Sequence, residues 1–564
     1  MQAIPPFLED ILSTVKRPIQ YLGQELNVIR KEPSTDGIRI ALVYPDKYEV
    51  AMSNLAVQLF YDRINRHSPH VLERVIIPDE DMIEALRTRS ILLFSLETQR
   101  PLKDFDLIAF SVSTELALTN VLLALDLAQI PLKASDRDET YPLIIAGGGG
   151  VMNPLPMSSF LDAIIIGDGE EALVDIADII AKVGKVKSSA LKALDDKPWA
   201  FVPSLHDRKR SLTRAVFSAF KDDTTLITPL VPLMKVVHDR YSLEIMRGCP
   251  RKCRFCQASY TSKPIRQKSA AALIEQGKAI IERTGAGELS LASLSSSDYN
   301  GLIELIHGLQ SVCQEKQVAL SLPSLRMDSL TSDMNLMINR LRESGITLAP
   351  EAGSQFLRDV IAKDLTLNDI EDAVKLASSN SGKSIKLYFM IGLPRETMAD
   401  VEAINELAFH LIETIKPKKN KIVINVSSFV PKPYTPFQWC PQDDRETLEQ
   451  KLNCLKRGTR HRQLELRWTD PELTWLEGLL SRGDERVGDV IERAFRKGAC
   501  FDAWYDHFQP NLWLEAIQES GLPENEYQLK RDLDEPLPWG FVDMGIRSSV
   551  LKEEYQRSML VERT

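Results

Sequence analysis

Apolar runs alternate with amphipathic segments along the first 185 residues of the chain, and this alternation predicts strands and helices in turn. Residues 38–44, 106–112 and 142–147 are runs of β-branched and other apolar residues, which is typical of strands buried on both faces. Residues 55–65 and 120–128 place apolar residues at helical spacing. Strands that alternate with helices predict a parallel sheet with helices on both faces. We place this first domain at residues 31–185.

A second alternation begins near residue 241 and contains six βα-type units. A complete (β/α)8 barrel typically needs ~250 residues. This region is shorter, so a partial (β/α)6 barrel of the TIM type is the better fit, and we place it at residues 236–445. The six predicted strands cover residues 241–248, 288–294, 318–325, 346–353, 384–394 and 421–431, and the helices cover residues 270–285, 299–315, 333–345, 367–380 and 399–416.

The segments around these two regions have other patterns. Residues 1–30 indicate an N-terminal helical arm punctuated by prolines, and residues 186–235 a connector of short strands and polar turns. Residues 446–564 have the spacing of amphipathic helices. The expected fold class is therefore α/β, with an N-terminal Rossmann-like parallel-sheet domain, a central partial barrel and a helical C-terminal domain.

Composition is that of an ordinary globular protein, with 44% hydrophobic and 26% charged residues in a chain of 564. The net charge of -10 argues against nucleic acid as the main partner, because nucleic-acid binders usually carry a basic excess. The sequence contains no run of about 18 uninterrupted apolar residues, so we expect no membrane span. Seven cysteines are too few for a disulfide scaffold, and we expect a cytoplasmic protein with reduced thiols.

Three of the seven cysteines, Cys249, Cys253 and Cys256, form a Cys-x3-Cys-x2-Cys cluster directly after the first predicted barrel strand. Strand ends of this kind are where a barrel places its chemistry. A compact loop can present three thiolates to one iron–sulfur cube and leave one iron open to an exogenous ligand. The alternatives are a zinc site, although structural zinc prefers closed four-coordinate sets, and three unrelated buried thiols.

The segment RGCPRKCRFC (247–256) resembles the radical S-adenosylmethionine (radical SAM) superfamily. The resemblance implies that Cys249, Cys253 and Cys256 bind a 4Fe-4S cluster whose open iron holds S-adenosylmethionine. A reductant such as flavodoxin or ferredoxin would supply one electron. Cleavage of S-adenosylmethionine would then yield a 5′-deoxyadenosyl radical that removes hydrogen from a substrate.

Further positions are marked as cofactor-binding by the same resemblance. Phe255 matches the aromatic position near the adenine, and Glu351 would reach the ribose hydroxyls. Arg358 would meet the cofactor carboxylate, and Gly392 and Pro394 belong to a Gly-x-Pro segment whose backbone lines the adenine. The alternatives are that Glu351 is a helix N-terminal acid and Arg358 a solvated helix residue.

A parallel-sheet domain before such a barrel resembles the cobalamin-binding type. Gly147, Gly148 and Gly149 follow a predicted strand, where they would let a ligand approach the backbone. Glycine after a strand is also often just a turn. The Asp-x-His-x-x-Gly signature, whose histidine ligates cobalt, is missing from the loop at residues 44–54. Cobalamin would then bind without a protein axial ligand, or the domain has lost the cofactor.

Segments spread over residues 10–564, among them AGGGGVMNPLP and FVPKPYTPFQW, resemble uncharacterised methylase-like radical SAM proteins with a cobalamin-type domain. The sequence predicts a radical SAM enzyme for methyl or methylthio transfer, or a radical rearrangement, on an unidentified substrate. One competing hypothesis is a non-catalytic iron–sulfur or electron-transfer protein with a degenerate radical SAM domain. Another is a nucleic-acid modifier of the methylthiotransferase kind, which the net charge disfavours.

Overall fold

Three sheets of three or more strands organise the part of the chain that this computed structural model describes, namely residues 4–323, 327, 346–378, 384–415 and 421–563. Neighbouring strands in these sheets run parallel, apart from one short edge strand. The chain is therefore mixed α/β with parallel sheets, as predicted. The helix predicted over residues 333–345 lies outside the described residues.

The first sheet is built from the N-terminal region. Its strands are β1 (Arg39–Tyr44), β2 (Val71–Ile76), β3 (Leu107–Ser111), β4 (Leu143–Gly147), β5 (Ala163–Ile165) and β6 (Ala200–Phe201). They lie in the order β2-β1-β3-β4-β5-β6, with β6 antiparallel to β5. The order reverses between β1 and β3, and open α/β sheets bind ligands at the carboxyl ends of strands beside such a switch point.

Successive residues of these strands face two different cores, because side chains alternate across a strand. Ile108 and Phe110 of β3 belong to the core on one face, whereas Leu107 and Ala109 belong to the core on the other. The helices of this region are α1 (Pro6–Leu12), α2 (Tyr48–Ala51), α3 (Leu55–His67), α4 (Glu80–Thr88), α5 (Leu118–Leu127), α6 (Ala172–Lys182) and α7 (Lys187–Asp195).

The barrel region contributes two further parallel sheets, and each of the six predicted strand segments contains a strand. One sheet has the order β12-β11-β8 and the other the order β13-β14-β15-β16. The strands are β8 (Tyr241–Glu244), β11 (Glu288–Ala292), β12 (Ala319–Ser321), β13 (Ile346–Glu351), β14 (Ile385–Ile391), β15 (Ile422–Ser428) and β16 (Leu464–Trp468), with β9 (Met246–Arg247) and β10 (Arg266–Gln267) paired separately. The joining of these sheets into one partial barrel stays a prediction.

Helices connect the strands of the barrel region. They are α8 (Gln257–Thr261), α9 (Ala270–Thr284), α10 (Leu302–Glu315), α11 (Gln355–Val360), α12 (Leu367–Ser378) and α13 (Met398–Ile415). The sequence analysis places residues 464–468 in the helical C-terminal region and does not predict the strand β16. These residues are half-buried or exposed, so their sequence has no continuous apolar run that would indicate a strand. It extends the second sheet beyond residue 445, the predicted end of the barrel.

The C-terminal region is mainly helical and covers one face of the first sheet. Trp475, Leu479 and Trp513 from this region pack in the same core as Ile108 and Phe110. Its helices are α14 (Arg445–Gly458), α15 (Pro471–Arg482), α16 (Val487–Arg496), α17 (Pro510–Ser520) and α18 (Ser548–Met559), and a short strand β17 (Val542–Asp543) pairs with β7 (Leu212–Thr213) of the connector. Across the described ranges, none of the helices combines the length and the apolar content needed to span a membrane.

Candidate active site

The cysteine loop, residues 249–256, begins just after β9, at a position where the backbone requires glycine. Gly248 has a φ of +93°, and a Cβ there would lie 3.0 Å from the Ser262 carbonyl oxygen. At the other end of the loop, the Cys256 N–H donates to the Cys253 carbonyl oxygen over 3.1 Å. The three cysteines are thus carried on one tight loop near the carboxyl end of the first strand of the barrel region.

Two arginines inside the cysteine loop anchor it to its surroundings. Arg251 donates from Nη2 and Nε to the Asp298 carboxylate over 2.7 and 3.1 Å. Arg254 donates from Nη1 to the Val360 carbonyl oxygen over 2.8 Å and from Nε to Glu554 over 3.2 Å. Because Asp298 follows β11, Val360 ends α11 and Glu554 lies in α18, the loop is held from three sides.

The cysteine side chains are shielded from solvent and lie within electrostatic reach of one another. Cys249 and Cys253 are each 7% exposed, and Cys256 is half-buried. Burial raises the pKa of Cys253 to about 11; Lys363 opposes this rise, whereas Cys256, Glu351 and Cys249 add to it. Coordination by a metal would replace the thiol protons.

Three sulfur donors on one loop fit the ligand set of an iron–sulfur cluster with one open iron. Among the residues that the structure describes, no group of three or more His, Cys, Asp or Glu side chains has the arrangement of a metal site. The assignment of Cys249, Cys253 and Cys256 as metal ligands therefore stays a prediction.

Glu351 ends β13 in the left-handed region of backbone conformation, with a φ of +68°, which side-chain-bearing residues rarely adopt. The pairing with β14 shifts register between Leu348 and Glu351, so the strand bulges at this point. The Glu351 side chain is 16% exposed, and its Oε1 accepts a hydrogen bond from Lys363 Nζ over 3.0 Å. The bulge places this pair where it acts on the Cys253 thiol.

Arg358 is 3% exposed, so the alternative of a solvated helix residue is wrong. Its Nη1 donates to the carbonyl oxygens of Ala352 and Gly353 over 3.0 and 2.9 Å, and its Nε donates to that of Leu365 over 3.2 Å. Burial lowers the pKa of Arg358, and Asp359 opposes that effect. The structure gives this guanidinium a local role in fixing the backbone after β13, and its contact with a cofactor stays a prediction.

The Gly-x-Pro segment follows β14, the strand next to β13. Gly392 has a φ of +80°, and its N–H donates to Glu396 Oε2 over 2.7 Å. Burial raises the pKa of Glu396 to about 7, and Lys451, whose Nζ lies 2.7 Å from Oε2, opposes the rise. This buried pair holds the turn at Gly392, three residues after Phe389, which is the register partner of Glu351 in the sheet. Phe255 is half-buried and packs on the apolar cluster around Tyr260.

An interdomain cavity of about 550 Å³ lies between the first sheet and the barrel region. Gly147 and Gly148 line it at the end of β4, together with apolar residues of α3 and α6. The opposite wall contains residues 244, 246–248 and 292–294. Gly149 is the first residue of the short helical turn after β4 and does not line the cavity. The role of all three glycines in binding a cofactor stays a prediction.

The site also contains residues that the sequence analysis did not select. Lys363, Asp298 and Arg247 carry the ion pairs that hold Glu351 and the cysteine loop. Lys363 and Asp298 lie outside any motif with metal-ligand or phosphate-loop spacing, whereas Arg247 is the first residue of the segment RGCPRKCRFC. The position of Arg247 directly before a glycine and a cysteine is the one local indication that could have suggested it.

Two regions of the chain match models of known protein families. Residues 243–408 match the family model "Radical SAM superfamily", and residues 56–203 match "Radical SAM proteins, N-terminal". Together the two matches cover more than half of the chain. The chain belongs to the radical SAM superfamily, which confirms the family that the segment RGCPRKCRFC resembles, and the protein is a radical SAM enzyme.

Two individual proteins are similar to this chain over most of its length. The chain is 26% identical over 489 residues to uncharacterized protein MJ0966 of Methanocaldococcus jannaschii, covering 86% of this chain and 98% of that protein. It is 22% identical over 399 residues to the tRNA-2-methylthio-N(6)-dimethylallyladenosine synthase of Neorickettsia sennetsu, covering 69% of this chain and 77% of the synthase.

Among solved structures, the chain shares its fold with OxsB, a cobalamin-dependent S-adenosylmethionine radical enzyme whose structure contains aqua-cobalamin and S-adenosylmethionine. The sequences are 13% identical, the TM-score is 0.50, and the match covers 93% of this chain and 79% of that chain.

Proposed function

We propose that the protein binds a 4Fe-4S cluster and S-adenosylmethionine at the cysteine loop and cobalamin in the interdomain cavity, and that it transfers a methyl or methylthio group to an unidentified substrate. One observation carries the proposal: the cavity wall leads directly into the cysteine loop along the chain. Arg247 and Gly248 line the cavity, and Cys249 follows directly in the chain. Two cofactors held side by side can act on one substrate without being released.

Each candidate residue has a defined task in this proposal. Cys249, Cys253 and Cys256 would hold the cluster, and Glu351 would accept hydrogen bonds from the ribose of S-adenosylmethionine. When bound, the cluster and S-adenosylmethionine would supply one-electron chemistry, and cobalamin would serve as a methyl carrier. The half-buried Phe255 would cover the adenine next to the backbone of the Gly-x-Pro segment.

The interdomain cavity suits cobalamin in its position and its surface. It opens at the carboxyl edge of a parallel sheet, and its lining is mostly apolar, which favours a large ring system over a free nucleotide. Gly147 and Gly148 leave the end of β4 without side chains on this wall. The fold shared with OxsB, which contains aqua-cobalamin, supports the same assignment.

A methylthiotransferase that acts on nucleic acid and a non-catalytic iron–sulfur protein are the two alternatives. The name of the Neorickettsia synthase supports methylthio transfer, and the net charge of -10 weighs against tRNA as the substrate. A non-catalytic iron–sulfur protein would have no use for the acid at Glu351, which is held in a strained conformation. We expect a flavodoxin or ferredoxin as the reductant and the cytoplasm as the compartment.

The test is anaerobic reconstitution with iron and sulfide, followed by reduction in the presence of S-adenosylmethionine and hydroxocobalamin. We expect the wild type to form 5′-deoxyadenosine or S-adenosylhomocysteine, and the Cys253→Ala variant to form neither. Cys313→Ala is the matched control, because Cys313 is equally buried but lies on α10 outside the cysteine loop. If the wild type gives no product under conditions that support a known radical SAM enzyme, the catalytic proposal fails.

A further inference from the structure

A cluster of three cations and three carboxylates lies where the first domain, the connector and the barrel region meet. Its cations, Arg247, Arg266 and Lys268, all approach one aromatic ring, that of Phe220 in the connector, with centroid distances of 4.9, 5.6 and 5.0 Å. Its carboxylates belong to Asp168, Glu170 and Glu244. A fourth carboxylate, that of Asp223, lies within electrostatic reach of Lys268, and these opposite charges allow the cluster to stay charged although it is largely shielded from water.

Arg247 joins the two sides of this cluster. Its Nη2 donates to Glu170 over 2.6 Å and to Glu244 over 2.8 Å, and its Nη1 lies 3.4 Å from Asp168. Glu244 is on the same strand region as Arg247, whereas Asp168 and Glu170 belong to the turn after β5 in the first domain. Arg266 strengthens the junction, because its Nη1 donates to Asp168 over 2.6 Å.

Asp168, Glu170, Glu244 and Arg247 also line the interdomain cavity. A ligand that enters the cavity would therefore contact these side chains. The chain between Arg247 and Cys249 has little freedom to absorb a shift, because Gly248 has its positive φ and close backbone neighbours. A shift of Arg247 would then be passed on to the cysteine loop.

We propose that Arg247 is a positioning residue that couples cofactor binding in the interdomain cavity to the cysteine loop through its bond to Glu170. The inference rests on the proposed function, because it requires a ligand at each site. Coupling between two sites is reciprocal: if cluster assembly changes the affinity for cobalamin, cobalamin changes the stability of the cluster by the same factor.

The experiment measures the Kd of hydroxocobalamin, followed by its absorbance, for the full chain with and without a reconstituted cluster. In the wild type we expect the two Kd values to differ by about fivefold or more, the lower end of typical coupling between sites. In Glu170→Gln, which weakens the bond between the domains, the ratio should fall below about twofold. Asp223→Asn is the matched control: it removes a carboxylate within electrostatic reach of Lys268 in the same cluster, but Asp223 is paired with Arg63 over 3.0 Å rather than with Arg247 and lies outside the cavity wall, so this variant should keep the ratio of the wild type.

The electron paramagnetic resonance spectrum of the reduced cluster gives a second measure that a purely structural role would not change. Hydroxocobalamin should shift this spectrum in the wild type and in Asp223→Asn but not in Glu170→Gln. If Glu170→Gln does not fold, Arg247→Lys replaces it, because an ammonium keeps the charge but cannot form the forked contacts of a guanidinium.

The possible failures are distinguishable. If the wild type binds both cofactors but the Kd ratio is one, or if Glu170→Gln keeps the ratio of the wild type, the coupling is wrong and the proposed function stands. If the wild type binds no hydroxocobalamin or assembles no cluster, the proposed function and the coupling both fail.

Discussion

Lys363 donates a hydrogen bond from Nζ to Glu351 Oε1 over 3.0 Å, and both groups act on the buried thiol of Cys253. The pair at the end of β13 thus lies within electrostatic reach of the cysteine loop, which is more than 90 residues earlier in the chain. Glu351 keeps this position with a φ of +68°, where glycine would be free of strain. An acid in a strained backbone beside a buried thiol suggests that the side chain is retained for its chemistry.

The first prediction separates the backbone of Glu351 from its side chain. Glu351→Ala and Glu351→Gly both remove the carboxylate, but only glycine relieves the left-handed conformation. We expect the glycine variant to be about 1 kcal/mol more stable than the alanine variant in urea unfolding. Both should bind S-adenosylmethionine more weakly than the wild type in equilibrium dialysis. An alanine variant as stable as the glycine variant would show that the backbone is not strained.

The second prediction concerns the ligands of the cluster. After anaerobic reconstitution, Cys249→Ala, Cys253→Ala and Cys256→Ala should each hold much less iron than the wild type, because a cluster with one open iron already uses every protein thiolate available to it. Cys454→Ala, a control on α14, should keep the iron content of the wild type. Full iron content in any one of the three loop variants would remove that cysteine from the ligand set.

Sequence patterns were informative where local spacing determines structure. The cysteine triad and the strand segments around Glu351 and Gly392 follow from short motifs and periodicity, and they led to the correct family. The pairing of Lys363 with Glu351 and of Arg251 with Asp298 depends on contacts between distant segments, which no local pattern encodes. Arg358 shows the same limit, because its bonds to three backbone carbonyl oxygens could not be read from the sequence, and the cofactor contact that the resemblance implies stays a prediction.

The third prediction follows from the burial of Arg358. Arg358→Met leaves the carbonyl oxygens of Ala352, Gly353 and Leu365 without their donor, and we expect a loss of about 2–4 kcal/mol in urea unfolding. Lys375→Met is the control: its ammonium is half exposed on α12, so the change should stay within about 0.5 kcal/mol. A stable Arg358→Lys variant with weakened S-adenosylmethionine binding would instead favour the cofactor contact predicted from sequence.

The fourth prediction tests whether the interdomain cavity holds cobalamin. A Cβ at Gly147 would meet nothing closer than 3.5 Å, and the residue ends a strand, so Gly147→Val should fold. Its side chain would occupy the cavity wall, and we expect the absorbance of bound hydroxocobalamin to be lost while iron content is kept. Unchanged cobalamin binding in a folded Gly147→Val variant would contradict the assignment.

Gly148 provides the structural comparison for this experiment. It has a φ of +114°, and a Cβ there would lie 2.3 Å from the Val112 carbonyl oxygen. Gly148→Ala should therefore lower the melting temperature, whereas Gly147→Val should leave it nearly unchanged. Comparison of the two variants thus distinguishes loss of cobalamin binding through a filled cavity from loss through a destabilised backbone.

The last prediction uses the buried carboxyl group that holds the Gly-x-Pro turn. Burial raises the pKa of Glu396 from 4.5 to about 7, against the effect of Lys451. The folded state therefore binds a proton that the unfolded state releases between pH 4.5 and about 7, and the free energy of unfolding falls as pH rises through this window.

Glu396→Gln removes this titration and keeps an oxygen that can accept the Gly392 N–H. Relative to the variant, the wild type should lose on the order of 3 kcal/mol of stability between pH 4.5 and 8, measured by urea unfolding at each pH. Glu449→Gln, an exposed change on α14, should keep the pH dependence of the wild type. Parallel pH profiles for the wild type and Glu396→Gln would mean that Glu396 remains ionised throughout. The Gly392 N–H would then be bonded to a carboxylate at every pH, and the turn would depend on the ion pair with Lys451 rather than on a protonated acid.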